Sequence, residues 1–111
     1  MEQIFNKLVR DKIPEKIEKN GEVAVTRTLT QEEYLQELNK KLLEESHEVI
    51  NAINSAQTIE ELADVLEVLE SIAELNGYTL DDIIQTAKTK KEKRGGFTKR
   101  LFLEKTYSKE K

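Results

Sequence analysis

The chain has 111 residues, 36% of them charged, a formal net charge of −4 and no cysteine. That length suits one domain, since domains run to roughly 100–150 residues, and such a domain buries only about two-thirds of its unfolded surface. Disulfides and thiolate metal sites are excluded, and the mild acidity argues against nucleic-acid binding by bulk electrostatics. No apolar stretch is long enough to span a bilayer, and the charged start "MEQIFNKLVRDKIPEK" is unlike a signal peptide. A cytoplasmic, membrane-free protein is therefore expected.

Abundant Glu, Lys and Leu with one proline favour helix. After an ambiguous Ile4–Arg10, Pro14 suits the first turn of a short helix, "PEKIEKNG", because its missing N–H costs nothing there. Asn20-Gly21 supplies the stop. "EVAVTRTL" at Glu22–Leu29 is β-branched and partly alternating, which predicts a strand. Thr30, with Glu33 three residues on, opens the longest helix with a capping box. Leu35, Leu38, Leu42, Val49, Ala52 and Ala56 follow its 3–4 spacing. Thr58, with Glu61, is expected to cap the next helix, which runs to Asn76-Gly77. Thr79, with Asp82, opens a third, "TLDDIIQTAKTKKEKR", ended by Gly95-Gly96. The tail "FTKRLFLEKTY" alternates enough to predict a second strand, pairing with Glu22–Leu29.

Two of these helices carry acids beside their apolar stripes. Glu45 takes a position that the stripe of Leu38, Leu42 and Val49 would give to an apolar residue, and Glu48 lies one turn on. On the next helix Ile59, Leu62, Leu66, Leu69 and Ala73 define the main apolar face. Glu61 and Asp64 occupy the first turns of a flank continued by Val68 and Leu75, apart from the solvated Glu60, Glu67, Glu70 and Glu74. A short connection makes the two helices an antiparallel hairpin, which brings the four carboxylates together. Such a patch must hold protons or a cation. Oxygen donors alone favour Mg²⁺, with Mn²⁺ the alternative, over Zn²⁺. His47, within the first pair, points to the solvated side.

On the third helix the spacing of Leu80, Ile83, Ile84 and Ala87 continues into Lys90 and Arg94, with Lys91 beneath Leu80 and Ile84. Cations thus extend the inward face just before "RGGF". The same pattern also fits a helix C-terminus complementing its dipole.

The segments "NKLVRDKIPE", "KLLEESHEV", "EELADVLEV" and "KRGGFTKRLFL" resemble, in order, the all-α nucleoside triphosphate pyrophosphohydrolase superfamily. The likeness is to its small MazG-like and phosphoribosyl-ATP pyrophosphohydrolase-like proteins, and covers nearly the whole chain. It implies a mainly all-α domain over residues 1–111. Three main helices, a short N-terminal helix and a small two-stranded β element would form a bundle completed by oligomerisation, as a homodimer or tetramer. It implies Mg²⁺-dependent hydrolysis of a nucleotide to the monophosphate and pyrophosphate. Glu45, Glu48, Glu61 and Asp64 would serve as metal ligands and catalytic groups. Lys90, Lys91 and Arg94 would bind substrate, joined by Arg10 and Lys12 from "LVRDK". Phosphoribosyl-ATP hydrolysis and a non-enzymatic, metal- or nucleotide-binding helical dimer remain as alternatives.

Overall fold

The computed structural model describes residues 1–110, and it is all-helical: α1 (Ile13–Lys19), α2 (Gln31–Ile50), α3 (Ser55–Leu75) and α4 (Leu80–Arg94). Pro14 sits in the first turn of α1, and Gly21, just past the C-terminal Asn20, takes φ +89°. That left-handed conformation is cheap only for glycine. α2 opens with the expected reciprocal cap. The Glu33 N–H donates to Thr30 Oγ1 at 3.2 Å, and the Thr30 N–H donates to Glu33 Oε1 at 3.0 Å. Arg27 then grips the same carboxylate with both guanidinium nitrogens, at 3.2 and 3.0 Å. The Arg27 hydrogen bond, followed by that from the Thr30 backbone, pulls the Glu33 pKa down from 4.5 to about 2.

Two sequence expectations need correction, and a third point that the pattern left open is decided. The first is the start of α3. Thr58 does not cap it; Asn54 does, its Oδ1 accepting from the Gln57 N–H at 2.8 Å. Asparagine is at least as good an N-cap as threonine. Thr58 falls inside the first turn and donates its hydroxyl to the Asn54 carbonyl at 2.8 Å. The connection between α2 and α3 is therefore Asn51–Asn54, and the helix begins four residues earlier than its sequence pattern suggests.

The second correction is the β element. Neither Glu22–Leu29 nor Phe97–Tyr107 forms a strand among the described residues. Val23 and Val25 stand 84% and 93% exposed, so the alternation has no buried face to serve. A lone two-stranded ribbon is marginal in water without such a face.

The third concerns which side of α3 meets α2. The two helices pack against each other along their length, and the buried residues are Leu38 on α2 and Val68 and Ala73 on α3. Leu35 and Leu75 share one cleft wall, Leu38 and Val68 another. The stripe of Asp64, Val68 and Leu75, rather than Ile59, Leu62 and Leu66, therefore faces the partner helix. Those three remain 63%, 45% and 45% exposed.

The chain divides into two compact units, one of residues 1–80 and one that begins at Asp81. The first holds α1 and the α2–α3 hairpin. The second holds nearly all of α4 and its tail. At its helix end Gly95 takes φ +80°, its N–H reaching the Lys91 carbonyl at 2.8 Å. No helix is long and apolar enough to cross a membrane.

Candidate metal centre

The hairpin register carries the acids toward one another. Glu45 lies one turn before Val49, on the side of α2 that also presents Leu38 and Leu42 to α3. Glu61 and Asp64 lie on the second and third turns of α3, on the stripe that ends in Val68 and Leu75. Because the helices run antiparallel, the last turns of α2 stand opposite the first turns of α3. One carboxylate oxygen from each of Glu45, Glu61 and Asp64 falls within 4.8 Å of the others, and all three side chains are half-buried.

Such proximity costs free energy. Burial raises the Glu45 pKa, with Asp64, Glu44 and Glu61 adding to the effect and Lys41 opposing it. Burial likewise raises Glu61, helped by Asp64, Glu48 and Glu60. Two carboxyls held above their ordinary range beside a third mark a place short of positive charge. Glu48 lies outside the triad and is exposed, yet close enough that its charge contributes to the Glu61 shift. His47 is exposed, on the solvated side as its sequence position implies.

One cation does reach the triad. Arg10 Nη2 donates to Asp64 Oδ1 at 2.7 Å, and Nη1 approaches Glu67 Oε1 at 3.5 Å. The side chains of this trio are 56%, 42% and 48% exposed, so water screens much of the attraction. Arg10 belongs to the segment leading into α1, which lies over one side of the hairpin and encloses a cavity of about 510 Å³. Lys12 lines it, as do Lys16, Tyr34 and Lys41. The sequence offered a signal for Lys41, which stands four residues before Glu45 and so on the same helical face; nothing in helical periodicity flags Lys16. Lys90, Lys91 and Arg94 are all exposed on α4, in the second unit.

The donor set suits a hard divalent cation: carboxylate oxygens from two facing helices, with no sulfur and no imidazole among them. A family model described as the MazG nucleotide pyrophosphohydrolase domain matches residues 33–96, more than half of the chain, and includes both acidic pairs and Arg94. The chain belongs to the MazG nucleotide pyrophosphohydrolase family. No curated protein and no solved structure matches it. The membership places the protein in the all-α NTP pyrophosphohydrolase superfamily, whose chemistry is hydrolysis of a phosphoric anhydride, typically with a divalent metal. The match begins at Glu33. In this MazG protein Arg10, Lys12 and Lys16 are therefore supplied by residues ahead of the matched region, although they share a compact unit with the acids.

Proposed function

We propose that this MazG protein is a Mg²⁺-dependent nucleoside triphosphate pyrophosphohydrolase, converting a canonical or modified nucleotide to its monophosphate and pyrophosphate. The observation that carries the reading is the meeting of Glu45, Glu61 and Asp64 within 4.8 Å across two helices. A triphosphate adds roughly four negative charges to three carboxylates already in mutual repulsion, so the two can share a site only through cations. When bound, the divalent ion supplies that neutralisation together with Lewis acidity toward the phosphates. Glu45, Glu61 and Asp64 would hold it. One of the glutamates, Glu48 outside the triad included, would accept a proton from the attacking water. Lys90 and Arg94, with Lys91, are assigned to the developing charge on the pyrophosphate because they precede the Gly95-Gly96 turn on the continued stripe of α4. The chain has no GxxxxGK[ST] sequence, so a P-loop cannot take that role.

Homo-oligomerisation belongs to the same proposal. Ile59, Leu62 and Leu66 form an apolar row on α3, while Leu43 and Ile50 on α2 are 75% and 78% exposed. Only three side chains among the described residues are buried, and a second copy would give this row a core. A dimer is the simplest closed arrangement. A cytoplasmic location, beside nucleotide pools, belongs to the same proposal.

The test is pyrophosphate release from a panel of canonical and modified nucleoside triphosphates and phosphoribosyl-ATP, with Mg²⁺ and with a chelator. Release that needs Mg²⁺ and disappears in Asp64→Asn supports the proposal. Release from phosphoribosyl-ATP alone would reassign the substrate. Mg²⁺ binding with no hydrolysis of any compound would make the protein a binding module.

A further inference from the structure

The cavity between the N-terminal segment and the hairpin is lined by as many acids, Asp11, Glu45, Asp64 and Glu67, as cations, but not every cation has a close partner. Its walls include Arg10, Lys12 and Lys16 from the segment and α1, Tyr34 and Lys41 from α2, and Glu45 at the edge of the acidic triad. Arg10 is engaged by Asp64 and Glu67. Lys12 and Lys16 form no ion pair among the described residues. Both line the same cavity, one turn apart on the chain entering α1.

Lys41 is the most unusual of the group. Its side chain is only 19% exposed, against 74% for its neighbour Lys40. Its ammonium has one acidic partner, Glu44, at 3.6 Å, near the limit for an ion pair, and that carboxylate is half exposed. Its covered stem holds the ammonium in place without a close counter-ion, a position that suits an anionic ligand. The structural alternative is that Lys41 is there to neutralise Glu45, whose pKa it opposes raising. That alternative accounts for Lys41 but gives no role to Lys12 and Lys16, which are exposed to solvent on the cavity wall.

Resting on the proposed hydrolase reading, we infer that this cavity is the seat of the substrate's polyphosphate chain, with Lys12, Lys16 and Lys41 as its phosphate-binding residues. Ammonium groups and two carboxylates of the metal-holding triad, Glu45 and Asp64, on the walls of one cavity match a polyphosphate that arrives with its cation. A volume of about 510 Å³ lies within the roughly 300–1,000 Å³ of small-molecule sites. Tyr34, on the same wall as Lys41, gives the cavity an apolar flank. The N-terminal segment, outside the family match, thereby becomes part of the binding site.

The probe is inorganic triphosphate titrated calorimetrically into the full-length protein with Ca²⁺ present. Lys16→Met, Lys41→Met and Lys41→Arg are compared with the unaltered chain, and Ca²⁺ affinity is measured separately without triphosphate. Each methionine variant is expected to weaken triphosphate binding at least tenfold, with Lys41→Arg recovering most of the loss. In turnover, Lys16→Met raises KM while kcat changes less. Wild-type triphosphate affinity in both methionine variants overturns the inference, as does a change in Ca²⁺ affinity alone for Lys41→Met with Lys16→Met unaltered. Loss of folding in Lys41→Met, seen by circular dichroism, shifts the decision to Lys16→Met, which lies on a different helix. A chain that binds triphosphate through these lysines yet hydrolyses no nucleotide would sink the hydrolase reading and leave the seat standing. Hydrolysis with unaltered binding in the variants would do the reverse.

Discussion

Replacing Glu45 with Gln should make the metal-free protein more stable and the metal-loaded protein comparatively less so. Among the described residues Glu45 makes no hydrogen bond or ion pair, so the substitution chiefly removes charge. Its carboxylate stands within 4.8 Å of oxygens of Glu61 and Asp64. Two unit charges at that separation repel by about 0.9 kcal/mol in water and about 3.5 kcal/mol at an effective dielectric of 20. The site is half-buried and open to solvent, so the lower end applies, and loss of the Lys41 attraction offsets part of it. A net gain of about 1 kcal/mol corresponds to a Tm rise of about 4–8 °C for a domain of this size. The pH dependence has a definite sign. Because folding raises the Glu45 pKa, the wild type is favoured while that group is protonated and loses stability as pH rises through its folded value. The advantage of Glu45→Gln should therefore be full above that value and shrink toward acid. Saturating Mg²⁺ should stabilise wild type by several kcal/mol, about 2.7 at a hundred times Kd, and Glu45→Gln by much less. Thermal melts in chelator and in Mg²⁺, across pH, measure all of this. A lower Tm for Glu45→Gln in chelator at neutral pH would refute the electrostatic account of the cluster.

Other consequences can be checked in parallel. Arg27→Ala should lower Tm above pH 4.5, with the difference closing as pH falls toward about 2, because the depressed Glu33 pKa stabilises only while that carboxylate is charged. Leu38, 3% exposed, is the most buried side chain, and Leu38→Ala should cost about 2–5 kcal/mol in denaturant unfolding. Asn54→Ala should cost about 1 kcal/mol by removing the cap of α3; a neutral result would return the cap to Thr58. Leu62→Glu or Leu66→Glu should convert the proposed oligomer to monomer in light scattering, and a monomeric wild type would remove that element of the proposal.

The amino-acid pattern alone determined the four helices and most of their ends. Local rules suffice there: Thr30 and Glu33 satisfy each other's backbone N–H groups, Pro14 fits a first turn, and Gly21 and Gly95 permit a left-handed stop. The pattern also separated Glu45, Glu48, Glu61 and Asp64 from the ordinary surface acids, since a carboxylate on an apolar flank stands out against 3.6-residue periodicity, although Glu48 falls outside the cluster. It failed where the answer depended on a partner. Alternation at Glu22–Leu29 describes a strand only if another strand and a buried face exist, and neither does among the described residues. α3 is apolar around so much of its circumference that periodicity could not say which stripe meets α2. Packing chose Asp64, Val68 and Leu75 and left Ile59, Leu62 and Leu66 outside. Only tertiary structure could add Arg10 to Asp64, 54 residues away, and enclose Lys41 beneath the N-terminal segment. Periodicity assigns a residue to a face, but what that face meets is decided by the whole chain folding at once.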